Sequence, residues 1–174
     1  MSAVNVDLTA QNATVAQTIN ADEGADTIIN FEDVIGSDFG DVIIGNSSAN
    51  TLEGRGGADT LTGNGGSDTY VFRSEGDSAV GAGDTIMDFN AGDNQSGIDA
   101  IDLSGIIIGS FTYIGDGTAN FTDTGATQAR FVDGTNGGKL EVDVNGDTAV
   151  DMDINMTNVS SINFDDSDFN TIAV

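Results

Sequence analysis

Asp41, Asn50, Asp59 and Asp68 stand nine residues apart, and Gly36, Gly45, Gly54 and Gly63 keep the same interval ahead of them. Written in that phase, residues 36–71 read GSDFGDVII, GNSSANTLE, GRGGADTLT and GNGGSDTYV, with Ile43, Leu52, Leu61 and Tyr70 at the eighth place. Side chains and carbonyls of this kind suit a hard cation. Calcium takes six to eight oxygens at roughly 2.3–2.6 Å, and main-chain carbonyls plus one carboxylate per loop can supply them. Glycines at the first place, and often at the third and fourth, permit positive φ and a sharp loop with inward carbonyls. The candidate ligands are Gly36, Asp38 and Asp41 in the first loop and Gly45, Ser47 and Asn50 in the second. Gly54, Gly56 and Asp59 follow in the third, and Gly63, Gly65 and Asp68 in the fourth. In the second loop Ser47, Ser48 and Asn50 stand where glycines and Asp are expected, so its site should be the weaker.

The elements that must hold these loops are short. The last three residues of each unit form a strand whose single apolar side chain, at the eighth place, faces a thin core. A glycine-rich nonapeptide of this form is the sequence signature of a calcium-binding solenoid. On these residues the chain resembles the RTX (hemolysin-type) calcium-binding repeats. That resemblance implies a right-handed parallel β-roll in which two nonapeptides make one turn. It also implies ions held between loops one turn apart, 36–41 with 54–59 and 45–50 with 63–68.

Upstream, AVNVDL alternates apolar and polar residues and reads as a strand. Residues 21–29 hold Gly24, Asp26 and Ile28 in repeat phase, as a degenerate unit would, which makes Asp26 a further ligand candidate. Asp22, Glu23 and Asp33 read as solvated acids. NFEDVIGS leads into the first good unit, with Phe31, Val34 and Ile35 as core candidates. After Phe72 the nine-residue phase breaks. GAGDTIMDF at 81–89 then restores a calcium-loop look, with Asp84 and Asp88 as extra ligands. The lead-in, the D-T-I-x-D-F element at 84–89 and the I-D-L-S element at 101–104 resemble the C-terminal region of serralysin-type secreted metalloproteases. Asp99 and Asp102 flank Ile98, Ile101 and Leu103 on a strand and are expected to face outward.

From about residue 106 the pattern is antiparallel β. IIIGSFTYI, ANFTD, ARFVD, KLEVDV and AVDMDINM are strand-like, with Leu140, Val142 and Val144 on one face and Val150, Met152, Ile154 and Met156 on another. Asn145-Gly146 is a hairpin signal. The same hairpin carries Asp143, Asn145, Asp147 and Asp151, which read as a plain acidic hairpin with an ion site as the alternative.

Charge bounds the rest. Twenty-nine acids against four bases give a formal charge of −25 in 174 residues. Such self-repulsion opposes compaction, and acidic, weakly hydrophobic chains stay unfolded unless something offsets the charge. Bound calcium would. At a hundredfold excess over a site's dissociation constant, each ion adds about 2.7 kcal/mol. Four bases cannot build a patch for nucleic acid or an anionic membrane. With no histidine and no cysteine, His-based zinc sites and Ser-His or Cys-His catalysis are excluded. No apolar run approaches the roughly 20 residues of a membrane helix, and MSAVNVDLTA lacks the features of an N-terminal signal peptide.

The expected molecule is therefore all-β. It has lead-in strands and a degenerate repeat at 1–35, a calcium-binding β-roll at 36–90 and an antiparallel, β-sandwich-like cap at 91–174. Calcium (Ca2+) is its cofactor, and it has no catalytic residues of its own. The resemblance implies a secreted, extracellular bacterial protein whose partner is the type I secretion machinery, reading a signal near the C-terminus. Asn170-Thr171-Ile172-Ala173-Val174 keeps the apolar end of such a signal but lacks its acid. The chain starts almost inside the roll, so a larger secreted protein is expected around it. The alternatives are a module binding a glycan within a polysaccharide-modifying enzyme, and a structural module of an adhesin or surface layer.

Overall fold

A computed structural model describes residues 2–10, 17–20, 24–26, 31–91, 97–157, 159, 165 and 168–170. Its strands are β1 (Asn5–Asp7), β2 (Gln17–Asn20), β3 (Gly24–Asp26), β4 (Asp33–Ile35), β5 (Val42–Ile44), β6 (Thr51–Glu53), β7 (Thr60–Thr62) and β8 (Thr69–Val71). They continue with β9 (Thr85–Ile86), β10 (Ala100–Asp102), β11 (Phe111–Asp116), β12 (Thr127–Gly134), β13 (Gly137–Asp143), β14 (Met152–Thr157) and β15 (Phe169–Asn170). Among the described residues helix is confined to two short 3-10 turns, Leu8–Ala10 and Glu75–Ser78. The fold is a parallel roll joined to an antiparallel part, as the sequence implies.

Successive repeat strands alternate between two sheets, so strands two units apart pair in parallel. One eight-stranded sheet runs β1-β5-β7-β9-β14-β13-β12-β11, and a five-stranded sheet runs β15-β10-β8-β6-β4. The register aligns one apolar residue per strand. Val6, Ile43, Leu61, Ile86 and Met156 form a straight column in the first sheet. Val34, Leu52, Tyr70, Ile101 and Phe169 form the column in the second. All ten are buried and belong to one core. A three-residue strand buries only its middle side chain because alternate residues face opposite sides of the sheet. The eighth place of the repeat is that middle position.

The antiparallel part is not a separate layer. β14 pairs in parallel with β9 and antiparallel with β13, so the roll's sheet continues into the cap without a break. Two further expectations are corrected here. β11 runs parallel to β12, not antiparallel. ANFTD at 119–123 forms no strand, and Phe121 instead packs under the Arg130 guanidinium, 4.5 Å from its ring centre. Leu140, Val142, Val144, Met152, Ile154 and Met156 fill the cap core.

The lead-in departs more. Gly24–Asp26 pairs antiparallel with Gln17–Asn20, so these residues make a hairpin and not a degenerate turn of the roll. Asp22, Glu23, Ile28 and residues 171–174 lie outside the described residues. Of the lead-in core candidates Val34 alone is buried; Phe31 is 55% and Ile35 67% exposed. The reason is register. Val34 is the middle residue of β4, and Ile35 beside it must face outward.

Candidate metal centre

Each repeat strand is preceded by its sixth-place residue, and parallel stacking brings these residues into two ladders, one on each flank of the roll. On the first flank the main-chain N–H of Asp41 donates to Oδ1 of Asp59 at 2.7 Å, and that of Asp59 to Oδ1 of Asp84 at 2.8 Å. On the second, Asn50 N–H donates to Oδ1 of Asp68 at 2.8 Å, and Asp68 N–H to Oδ1 of Asp99 at 2.9 Å. Every rung thus presents one oxygen to the turn before it.

The second oxygen decides the chemistry. Asp59, Asp68 and Asp84 are at most 2% exposed, and their Oδ2 atoms accept no hydrogen bond. A buried carboxylate oxygen without a partner carries a large desolvation penalty. A hard cation removes that penalty. Among the described residues no three acidic side chains converge as a metal cluster. An ion here would therefore take one of these carboxylates and complete its shell from main-chain carbonyls of the glycine loops. The donor set fits calcium: it is all oxygen, with no nitrogen or sulfur ligand for a softer metal.

Burial, with neighbouring acids adding to it, raises the affinity of these groups for protons. Asp84 is pushed up to about 8, first by desolvation and then by Asp59, Asp77 and Asp41. Desolvation likewise lifts Asp59 to about 6, and raises Asp68. In the metal-free protein a proton stands in for the cation. Folded values above the ordinary 3.8 mean that this stabilisation is complete in acid and is lost as pH rises through about 6 to 8. A calcium ion bound here would have to displace these protons. Its titration midpoint is expected to move to higher calcium as the pH is lowered from 8 to 6. A midpoint independent of pH would show that these carboxylates do not take part.

The glycines act differently from expectation. Gly36, Gly45, Gly54 and Gly63 do not have positive φ; a Cβ on them would stand 2.4, 2.4, 2.1 and 2.3 Å from an oxygen of Asp41, Asn50, Asp59 and Asp68. The first place is glycine because the sixth-place side chain lies against it. Positive φ falls at the fourth place of the last two loops, as expected, and at the second, which was not: Gly57 (133°) and Gly66 (118°), Arg55 (68°) and Asn64 (70°). The third-place residues Gly56 and Gly65 meet nothing closer than 3.9 and 3.8 Å. Asp38 and Ser47, also third-place, are exposed, and Asp38 lies 3.9 Å from the Arg55 guanidinium.

Other acids are engaged elsewhere. Asp88 accepts the N–H groups of Gly63 and Asn64 at 2.9 and 2.8 Å and the Tyr70 hydroxyl at 3.3 Å, so both its oxygens brace the fourth loop. In the hairpin, Asp143 accepts Gly146 and Thr148 N–H, Asp151 accepts Val144 N–H, and Asn145 and Asp147 accept the N–H two residues on. These groups tie their own turn, as a plain acidic hairpin does.

Two buried acids were not anticipated, Asp99 in the second ladder and Asp77 in a loop of its own. Asp99, expected to face outward, is buried between Asp68 N–H and Asn90 N–H, and Ile98 is exposed in its stead. Asp77 is buried and accepts Arg73 N–H, Ser74 N–H and the Ser74 hydroxyl. A signal for each was present. Asp99-Ala100-Ile101 repeats the acid-x-apolar triplet of Asp68-Thr69-Tyr70, and Asp77 stands nine residues after Asp68.

Comparison with known proteins places this arrangement in a family. The model of the family described as "Peptidase M10 serralysin C terminal" matches residues 4–169. No curated protein matches the chain. The chain belongs to the serralysin C-terminal family, whose members carry the RTX-type calcium-binding repeats and not the catalytic part of those proteases.

Proposed function

We propose that this chain is a calcium-loaded module that folds on binding the ion and supports type I export and stability of a larger secreted protein. One observation carries the reading. Three carboxylate oxygens, on Asp59, Asp68 and Asp84, are buried without a hydrogen-bond partner in a chain whose formal charge is −25. Calcium outside the cell lifts both penalties at once, whereas the low calcium of a cytoplasm leaves the chain unfolded and threadable. No helix among the described residues is long and apolar enough to cross a membrane. The division into lead-in (1–35), roll (36–90) and cap (91–174) is kept as an organisation of roles, since both sheets run across the boundary at residue 90.

Export is tested at the tail. Deleting residues 165–174 from the chain is expected to block its secretion through a type I system while calcium uptake persists. Phe169 closes the second core column against Ile101 and packs at a tilt against Phe111, ring centres 4.7 Å apart, so the truncation also trims the fold. A shorter deletion, 171–174, spares that contact. Normal secretion of both truncated chains would sink the export role. Loss of secretion in the shorter one, with calcium-induced β signal intact, supports it.

A further inference from the structure

The chain's four bases divide into two pairs with opposite uses. Arg130 and Lys139 are committed to the cap. The Arg130 guanidinium donates to Glu141 through two nitrogens, at 2.9 and 2.7 Å, and to the Ala119 carbonyl at 2.9 Å. The Lys139 ammonium lies 3.0 Å from Glu141 and 3.3 Å from Asp153. Arg55 and Arg73 keep most of their donors open. Arg55 makes no side-chain hydrogen bond among the described residues, and its ion pair with exposed Asp38 is loose, at 3.9 Å. Arg73 donates once, from Nε to Glu53 at 3.2 Å, and its two terminal nitrogens reach no acceptor among the described residues. Both side chains are more than half exposed, at 52% and 56%, where such ion pairs contribute little.

The fold sets these two guanidiniums on one wall. Each arginine stands two residues beyond its strand, Arg55 after β6 and Arg73 after β8, and β6 pairs in parallel with β8. Neighbouring strands lie about 4.8 Å apart, so the two arginines leave the sheet in adjacent turns on one flank of the roll. Both line a cavity of about 460 Å³, together with Asp38, Glu53, Gly56 and Ser74. Asp77 also reaches this wall, but its oxygens already accept the Arg73 and Ser74 N–H groups and the Ser74 hydroxyl.

We propose that this cavity binds a small, singly charged, hydroxylated carboxylate of the sugar-acid class. A guanidinium fork matches the two oxygens of a carboxylate. Ionised Asp38 and Glu53 are acceptors only, so they call for O–H donors on the same ligand, and hydroxyls supply them. A bare oxyanion such as sulfate offers none and is repelled by both acids. The valence follows from the formal charge of −25. A polyanion gains repulsion with every added group, whereas two arginines offset a single carboxylate locally. The volume lies within the range of small-molecule sites. The site is built from second-place side chains and not from the sixth-place carboxylates, and its ligand is an anion.

Nitrogen-15 NMR of the full chain in calcium, titrated with galacturonate, reads the side chains directly. The chain has three arginines, so their Nε–H signals report separately. Arg55 and Arg73 are expected to shift together along one saturation curve, and Arg130, held by Glu141, to stay in place. Galactose lacks the carboxylate and acetate lacks the hydroxyls, and each is expected to bind at least about tenfold more weakly. Arg73→Gln and Arg55→Asn should each weaken galacturonate binding at least about tenfold, through loss of hydrogen bonds to a charged group. Asparagine suits position 55 because Asn64 holds the same place in the next loop with φ of 70° against 68°. Circular dichroism in calcium verifies the fold of each variant. Unmoved Arg55 and Arg73 signals, or shifts that acetate or sulfate reproduces at equal concentration, would overturn the site. Unchanged galacturonate affinity in R73Q would overturn it too, and would put the carboxylate on a bound ion instead. Should R55N fail to fold, R73Q decides alone.

Discussion

In chelator at pH 8 the chain is expected to lose most of its far-ultraviolet β signal and to regain it on addition of about 10 mM calcium, a hundredfold excess over an extracellular-type affinity of about 0.1 mM. The core explains the dependence. Each sheet of the roll contributes a column one side chain wide, such as Val6, Ile43, Leu61 and Ile86, so the apolar area buried per residue is small. Against it stand the formal charge of −25 and the buried acids of two ladders. Cations remove both terms. Protons do so in part: desolvation holds Asp84 up to about 8, and Asp59 and Asp99 up to about 6. Chelated protein at pH 5 is therefore expected to keep more β signal than at pH 8. Magnesium should substitute poorly, because it demands near-ideal octahedral geometry and holds its water. Full β signal in chelator at pH 8, with an unchanged melting temperature on adding calcium, would refute the dependence.

What the sequence made legible follows from what periodicity can encode. Parallel stacking repeats one environment at a fixed interval, so Ile43, Leu52, Leu61 and Tyr70 declared the core columns, and Asp59 and Asp68 the rungs, before any coordinates. The eighth place continues upstream to Val34, nine residues before Ile43. Ile35 is apolar but one residue off the buried place, and nothing in its neighbourhood distinguishes it from Val34 except the register. Asp99 was missed because the loop before it is longer than nine residues. The ladder is set by pairing between strands, and Ala100–Asp102 pairs with Thr69–Val71 whatever the length of chain between them. The conformational split among the loops was harder still. It depends on the φ of Arg55 and Asn64, which are not glycines, and on the Asn64 N–H being directed to Asp88, 24 residues away in the chain. The continuation of the sheet from β9 into β14 carries no local signal at all, since its two strands lie far apart in the chain.

Glycine itself was legible, and its purpose was not, which yields the second large effect. Gly54→Ala is expected to weaken calcium binding at least about tenfold, or about 1.4 kcal/mol, whereas Gly56→Ala in the same loop should leave it within about 0.5 kcal/mol of wild type. The repeat treats both as glycine places. The surroundings do not. A Cβ on Gly54 would stand 2.1 Å from Oδ2 of Asp59 and 2.8 Å from its Cγ, so the carboxylate must leave the position in which it receives the Asp41 N–H. A Cβ on Gly56 has only the Asp38 Cα at 3.9 Å, an ordinary contact, and its φ suits alanine. The natural loops already show both outcomes. Asp38 and Ser47 occupy the third place without disturbing the stack. Phe72 occupies the first place of the unit that follows Val71, and there Asp77 has both oxygens bonded by Arg73 and Ser74. A first-place side chain thus accompanies a loop closed on itself, with no oxygen free for a cation. Titration of both variants by calorimetry, with circular dichroism in saturating calcium to verify folding, separates the cases. Equal losses in the two variants would show that loop flexibility, and not the seat of the Asp59 carboxylate, is what glycine provides.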